Sequence, residues 1–107
     1  MSDAQQELFG VLAEQHRRRI LDLLLEADQP AGAIGARFEL SQPTVSKHLG
    51  VLRRSGLVTV RGQAQQRWYR LEPTPLRPLD DWLHPYRRLW ATRLDALEDH
   101  LNTMPDN

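Results

Sequence analysis

The chain has 107 residues, no cysteine, and a formal net charge of zero from 14 basic and 14 acidic side chains. This length suits one domain with a single modest core, and the missing cysteines exclude disulfides, thiolate metal ligands and cysteine nucleophiles. No apolar run approaches the length of a membrane span or of a signal-peptide core, so we expect a soluble, cytoplasmic protein without a membrane partner.

The zero net charge conceals an uneven distribution along the chain. Residues 27–70 carry seven basic and two acidic side chains, a net charge of +5, whereas residues 1–26 carry −2 and residues 71–107 carry −3. A local basic patch governs the attraction to a polyanion more than the total charge does. The middle of the chain is therefore where we expect a nucleic-acid site.

Two helices are predicted before residue 27. Residues 4–14 place Leu8, Val11 and Leu12 on one face. Residues 15–26 are too apolar for a surface helix, and we expect them at the centre of the domain. The run Arg17-Arg18-Arg19 is typical of a solvated helix start, with a phosphate contact or a salt bridge to a carboxylate as the alternatives.

Residues 31–56 are predicted to form two helices joined by a tight corner at Glu39-Leu40. Ser41 is a good N-cap for the second helix, and Pro43 costs little in the first turn, where a backbone N–H would lack a partner anyway. Gly56 suits the left-handed residue that closes a helix. The pattern therefore predicts a helix-turn-helix motif.

The second helix of this motif has two contrasting faces. Val45, Leu49 and Leu52 repeat at steps of four and three residues and form an apolar stripe. The other face carries hydrogen-bonding side chains that can meet base edges and phosphates in a major groove, as a recognition helix does. The candidate DNA contacts here are Ser41, Gln42, Thr44, Ser46, Lys47 and His48.

A β-hairpin is predicted over residues 57–71, because two stretches of alternating residues flank a polar tip that starts at Gly62. Trp68 and Tyr69 point to opposite faces, so at least one belongs to the core. A hairpin directly after a recognition helix forms a wing that could reach DNA, and an ordinary solvent-exposed hairpin is the alternative. The candidate wing contacts are Arg61, Gln63, Gln65 and Arg67.

A long helix is predicted from about Leu79 to Met104, with apolar residues at near-heptad spacing that suit a second helix. A small domain cannot easily cover so long a stripe alone. We therefore expect residues 1–14 and 76–104 to form a dimer interface, with an intramolecular fold-back as the alternative. The candidate interface residues are Leu8, Val11, Leu12, Leu83, Tyr86, Trp90, Leu94, Leu97 and Leu101.

These stretches together resemble the winged helix-turn-helix repressors of the ArsR/SmtB family, over nearly the whole chain. The resemblance rests on HRRRIL at 16–21, LSQPTVSKHL at 40–49, LRRSGLV at 52–58 and RWYRL at 67–71. Residues 85–98 are similar to a cysteine-free branch that is often paired with SRPBCC-type partner genes. The implied fold is mainly α with a small β-hairpin, one winged-helix domain over residues 1–107, with its helix-turn-helix at 31–56 and its wing at 57–71.

The resemblance implies a homodimer that binds double-stranded DNA at a near-palindromic operator and represses transcription. Gln42 and Lys47 are then the best base readers, since glutamine can pair with adenine and lysine with guanine. Ser41 would cap its helix and touch a phosphate. The alternative function is a winged-helix module for protein interaction without sequence-specific DNA binding, but the basic middle of the chain favours DNA.

Metal-sensing members of the family use a cysteine pair, or Asp and His residues on the last helix. This chain has no cysteine, and its candidates on the last helix do not match the family's ligand spacing. The candidates there are Asp80, Asp81, His84, Glu98 and His100, of which Asp80 and His84 could still share a metal with residues from a second subunit. We interpret them as helix-surface residues and predict no metal and no cofactor.

Two other functions have weaker support in the sequence. A small-molecule effector of unknown identity could bind near Trp82, Tyr86 and Trp90, although an aromatic seam of this kind is more often packing. Catalysis needs convergent titratable groups, whereas Ser46 and His48 diverge by about 200° on a helix. We therefore do not expect an enzyme.

Overall fold

The computed structural model of the chain describes residues 1–103. Its elements follow the predicted order and confirm a mainly helical fold with a small antiparallel sheet. The predicted end of the last helix, Met104, lies outside the described residues. The elements are α1 (Asp3–Leu12), α2 (Gln15–Glu26), β1 (Gln29–Pro30), α3 (Ala31–Phe38), α4 (Gln42–Arg54), β2 (Val58–Gln63), β3 (Gln66–Leu71), a 3-10 turn (Thr74–Leu76) and α5 (Arg77–Thr103).

The core lies where α2, α3 and α4 meet the inner face of the sheet. Helix α2 is central, as its composition predicts, with Ile20, Leu21 and Leu24 buried, although Leu25 at its end is exposed. Burying one such aliphatic side chain stabilises the fold by about 1.5–3 kcal/mol. The buried residues are Leu8, Ile20, Leu21, Leu24, Ile34, Val45, Leu49, Leu52, Leu57, Val58 and Tyr69.

The sheet has three strands in the order β1-β3-β2, one more than the predicted hairpin. Strand β1 pairs with β3 through Gln29 opposite Tyr69 and Pro30 opposite Trp68. A proline is tolerated there because β1 is an edge strand, in which only part of the backbone N–H groups face the neighbouring strand. Tyr69 is buried and Trp68 half-buried, which confirms that one of this aromatic pair belongs to the core.

The arginine run at the start of α2 has a role that its sequence does not indicate. The Nε and Nη2 atoms of Arg17 donate to the carbonyls of Val11 and Gly10 at 2.7 and 3.2 Å, and Arg18 donates to the carbonyl of Leu12. These carbonyls end α1 and have no partner within that helix. Two cations therefore complete the C-terminus of α1 and tie it to α2.

The first turns of helix α5 pack against the rest of the chain, and the remainder of the helix projects into solvent. Leu79 and Leu83 are half-buried, whereas every residue from His84 to Thr103 is exposed. The helix runs without interruption through Pro85. No helix within residues 1–103 is long and apolar enough to cross a membrane.

Candidate nucleic-acid interface

The start and the end of α4 are both set by residues that the sequence identifies. At the start, the Ser41 hydroxyl accepts from the backbone N–H of Thr44 at 3.3 Å, and the two hydroxyls lie 2.8 Å apart. At the end, Gly56 has φ +78°, and the N–H of Leu57 donates to the carbonyl of Leu52 at 3.0 Å. This is the Schellman arrangement, with both leucines fully buried. The predicted caps are confirmed.

The corner between α3 and α4 depends on a close backbone approach. Glu39 adopts a left-handed conformation with φ 55° and ψ 43°, and the N–H of Leu40 donates to the carbonyl of Gly35 at 3.0 Å. A Cβ atom on Gly35 would lie 3.1 Å from the carbonyl oxygen of Leu40 and from Nε2 of Gln42. The absence of a side chain at position 35 thus lets the start of α4 lie directly on α3.

Helix α4 presents one buried and one exposed face. Val45, Leu49 and Leu52 are each 2% exposed or less, which confirms the apolar stripe. Gln42, Ser46 and Lys47 are exposed, as is Ser41 before them, and Thr44 is half-buried. These five candidates therefore lie on a surface that a partner can reach.

Arg54 joins this exposed face, although its place in the sequence indicates only the helix end. It is exposed and lies seven residues after Lys47, so the two side chains share one side of the helix two turns apart. That spacing is the signal that could have identified it. Arg54 adds a second positive charge to the same stripe.

His48 is a correction to the predicted DNA contacts. Its side chain faces inward and the residue is 7% exposed. The spacing already indicates this, since position 48 lies three residues after Val45 and four before Leu52, on the apolar side of the helix. A buried imidazole cannot reach a groove, so His48 is no longer a candidate DNA contact.

His48 instead meets the beginning of α2. Its Nδ1 lies 3.7 Å from the Glu14 carboxylate, and its ring centre lies 5.7 Å from that of His16. The Nδ1 atoms of both histidines are buried without a hydrogen-bond partner among residues 1–103. Burial lowers the pKa of His48 below 6.5, and Arg17, His16 and Lys47 lower it further, against the opposing effect of Glu14. Burial thus favours the neutral form of the imidazole.

Glu14 has two roles at this junction. Its carboxylate caps α2 by accepting from the backbone N–H of Arg17 at 3.1 Å. Desolvation raises the pKa of Glu14, but the backbone N–H groups of Arg17 and His16, together with the charges of His48 and His16 when protonated, outweigh it and hold the pKa below its ordinary value of 4.5. A charged cap of α2 therefore lies beside the inner face of α4.

The wing consists of β2 and β3, which pair from Val58 opposite Leu71 to Gln63 opposite Gln66. Ala64 begins the two-residue tip with φ 56°, a conformation that costs a residue with a Cβ about 1–2 kcal/mol. All four predicted wing contacts are exposed: Arg61, Gln63, Gln65 and Arg67. Because side chains alternate along a strand, Arg61 and Gln63 lie on one face of the wing and Arg67 on the other.

The residues of the predicted dimer interface differ in their exposure to solvent. Leu8 is 5% exposed and belongs to the chain's own core, so it offers almost no surface to a partner and is corrected. The predicted residues that are half-buried are Val11, Leu12 and Leu83, and those that are exposed are Tyr86, Trp90, Leu94, Leu97 and Leu101. An apolar stripe therefore lies uncovered along the outer part of α5.

The aromatic residues at the base of this stripe pack on one another. Trp82 meets Phe9 of α1 edge-to-face at 5.3 Å between ring centres, and Tyr86 lies 5.0 Å from Trp82. The contact between Phe9 and Trp82 stabilises α5 against α1 by about 0.5–1.5 kcal/mol beyond its burial, whereas the contact between Trp82 and Tyr86 lies within α5. This packing favours the structural interpretation of the seam over an effector site.

The acidic and histidine residues of α5 do not converge. Asp80 pairs with Arg87, whose Nη2 also donates to the Asp80 carbonyl at 2.9 Å. Within residues 1–103, no group of three or more His, Cys, Asp or Glu side chains is placed to hold a metal ion. The expectation of no regulatory metal stays a prediction.

The fold and this surface define a winged helix-turn-helix DNA-binding protein, and comparisons with known proteins agree. Residues 12–61 match the model of a helix-turn-helix domain family. The chain is 39% identical to the transcriptional activator HlyU of Vibrio cholerae over 72% of its length and 71% of that protein. It is 33% identical to the transcriptional repressor SdpR of Bacillus subtilis over 71% of its length and 84% of that protein.

Solved structures extend this likeness to three dimensions. Reduced HlyU from Vibrio cholerae superposes with a TM-score of 0.65 at 36% identity, over 78% of this chain and 87% of that one. An ArsR-like regulator from Rhodococcus sp. RHA1 superposes with a TM-score of 0.69 at 28% identity, over 94% of this chain and 95% of that one. The chain belongs to the ArsR family of transcriptional regulators. It is a DNA-binding regulator of transcription, and its relatives are regulators rather than enzymes.

Proposed function

We propose that two copies of the chain, in the cytoplasm, bind a near-palindromic operator and repress transcription. The observation that carries the proposal is the division of α4 into a buried stripe and an exposed polar face. Burial of Val45, Leu49 and Leu52 holds the helix rigidly in place, while Gln42, Ser46 and Lys47 remain open to solvent. A rigid helix with accessible donors is what direct reading of a major groove requires.

Within the groove, the exposed residues of α4 take different roles. Gln42 and Lys47 read base edges, the first suited to adenine and the second to guanine. Thr44 and Ser46 add shorter hydrogen-bonding groups. Ser41 and Arg54 lie near the two ends of the helix, where phosphate contacts set its register. The wing adds backbone contacts through Arg61, Gln63, Gln65 and Arg67.

The dimer forms along α1 and α5. Tyr86, Trp90, Leu94 and Leu97 follow one side of α5 and are exposed in the single chain. A stripe of this length is unusual on the surface of a monomer and marks an interaction site. A second copy related by two-fold symmetry covers the same stripe with its own. The two copies of α4 then enter successive major grooves, roughly 34 Å apart.

Repression is the simpler mode of control for such a dimer, because it requires only that the occupied operator overlaps a promoter. The relatives carry both designations, since SdpR is named a repressor and HlyU an activator. A reporter gene under a promoter that contains the selected site decides whether the protein represses or activates transcription. Repression predicts a higher signal when the regulator is deleted.

The test of DNA reading begins with a random pool from which the purified protein selects its site. A palindrome with half-sites one helical turn apart is the expected result. Gln42→Ala and Lys47→Ala should then each weaken binding to that site by about 1–3 kcal/mol, the loss of a base contact.

Two matched controls keep this test specific. Gln15→Ala removes an exposed glutamine of α2, and Arg88→Ala removes an exposed cation of α5. Both should bind the selected DNA as the wild type does. Equal effects of site and control variants would contradict the groove assignment, and failure to select any sequence would favour the protein-interaction module.

A further inference from the structure

An acidic residue lies at the base of the wing. Asp28 follows α2 and precedes β1, and its carboxylate faces arginines from both long strands. Oδ2 is 3.3 Å from Nε of Arg70 and 3.8 Å from Nη2 of Arg61. The Asp28 side chain is 27% exposed, whereas those of Arg61 and Arg70 are 60% and 62% exposed. One sheltered carboxylate thus holds two solvent-facing cations.

The two arginines are held unequally. Nε of Arg70 donates to both carboxylate oxygens of Asp28, at 3.3 and 3.5 Å. Arg61 is at 3.8 Å, beyond hydrogen-bond distance. An exposed pair of this kind contributes little and is easily exchanged. Arg70 therefore holds the carboxylate more closely than Arg61 does, and Arg61 can leave it without disturbing the sheet.

Arg61 is also the one of the two that lies toward the wing tip. It is opposite Trp68 in the ladder and two residues before Gln63, whereas Arg70 is opposite Thr59 near the domain. Both side chains are on the outer face of the sheet, because their positions alternate with the buried Tyr69. A guanidinium released from Asp28 on this face is free to take a phosphate in a two-point hydrogen bond.

We propose that Asp28 occupies, in the free protein, the place that a DNA phosphate takes at Arg61 in the complex, and so limits the affinity of the wing. This inference rests on the proposed function, since it needs the wing to meet the DNA backbone. Binding exchanges one carboxylate for one phosphate at Arg61, while Arg70 retains Asp28. Residues 27–70 contain only two acids, Asp28 and Glu39, and Asp28 is the one that faces a candidate contact.

The test is a double-mutant cycle on DNA affinity. Asp28→Asn keeps an oxygen acceptor for Arg70 and removes the charge that competes with phosphate. It should tighten binding to the selected operator by about threefold to tenfold. With Arg61→Gln in the same chain, the added gain should disappear or fall to that of a general charge effect. Asp28→Glu, which keeps the charge, should bind close to the wild type.

Glu39→Gln is the matched control, because it removes one negative charge from the same basic segment at the corner before α4. Its effect on DNA affinity should be the same in the wild-type chain and in the Arg61→Gln chain. Thermal unfolding of each variant confirms that all are folded at the temperature of the binding assay. A gain from Asp28→Asn that is equally large in the Arg61→Gln chain would overturn the proposal, as would no gain or a loss.

The outcomes also separate this proposal from the one it rests on. If Arg61→Gln binds as the wild type while Lys47→Ala binds more weakly, Asp28 does not act through the wing and the recognition role of α4 stands. If Lys47→Ala, Gln42→Ala and Arg61→Gln all bind as the wild type, the proposed mode of DNA binding fails, and the role of Asp28 fails with it.

Discussion

Helices α4 and α5 carry the same kind of apolar stripe and differ in what covers it. In α4 the stripe of Val45, Leu49 and Leu52 is fully enclosed by the chain itself. In α5, Leu94 and Leu97 are 64% and 53% exposed. The repeat of apolar residues therefore tells which face of a helix seeks burial, but not whether the same chain supplies the cover.

The difference follows from the position of each helix in the fold. Helix α4 packs against α2, α3 and β2, so its inner face has neighbours on several sides. Helix α5 contacts α1 and the 3-10 turn at its beginning and then projects outward, which gives the described chain a longest dimension of 66 Å. At 1.5 Å per residue its 27 residues span about 40 Å. The outer half is thus not covered by the chain itself.

The largest expected effect comes from the enclosed stripe. Leu52→Ala should lower the free energy of unfolding by about 2–5 kcal/mol, because it leaves a cavity in a core that can collapse only in part. Leu97→Ala, the same change on α5, should cost under about 0.5 kcal/mol where the chain is monomeric. Urea unfolding at low protein concentration measures both. Similar losses for the two variants would abolish the contrast between the helices.

A smaller effect is expected on the uncovered stripe, and it concerns association. Leu94→Glu places a charge in the proposed dimer seam and should weaken dimerisation at least tenfold, or roughly 1.4 kcal/mol. Sedimentation equilibrium measures the dissociation constant. Arg88→Glu puts the same carboxylate on a side of α5 that is away from the stripe, and should leave association nearly unchanged. A wild-type chain that is monomeric at all concentrations would show that a second copy of the chain does not bind the apolar stripe of α5.

The smallest expected effect is a dependence of the free energy of unfolding on pH, which arises from the covered face of α4. His48 lies in the enclosed face of α4, and its burial lowers its pKa below 6.5. His48 of the unfolded chain therefore takes up a proton more readily than His48 of the folded chain. The free energy of unfolding is then highest above about pH 6.5 and declines as the pH falls below that value. Unfolding by urea across pH 5–8 should show this decline.

A substitution pair isolates the contribution of this one histidine. His48→Gln should flatten the pH dependence of unfolding below pH 6.5, whatever its effect on stability at neutral pH. His100→Gln, at an exposed position of α5, should retain the wild-type curve. If both variants retain it, another group that titrates in the same range accounts for the decline.

Local signals were sufficient to predict most of the fold. Ser41 and Gly56 mark the ends of α4 because their roles depend on the backbone of one turn. The sequence does not predict strand β1, since this strand has two residues and forms only by pairing with β3 about 40 positions later. Its Pro30 even argues against a strand. Contacts between distant parts of the chain leave no local pattern.

The same distinction explains the errors in the candidate site. The polar character of His48 predicts an exposed position, although its spacing from Val45 and Leu52 puts it on the covered face of α4. Leu8 fits the seam by pattern, yet the chain's own core takes it. The contact between Asp28 and Arg61 joins residues 33 positions apart, so it could not be seen without the structure.

The missing Cβ at Gly35 has a consequence for the direction in which α4 points. Position 35 sets how closely α4 lies on α3, and its nearest neighbours are the Leu40 carbonyl and the amide of Gln42. Helix α4 is 13 residues long, or about 20 Å. A tilt of about 5° at the corner would displace its far end by roughly 2 Å, enough to lose a hydrogen bond to a base. A single methyl group on Gly35, which would meet the amide of the proposed base reader Gln42, would thus redirect the whole helix.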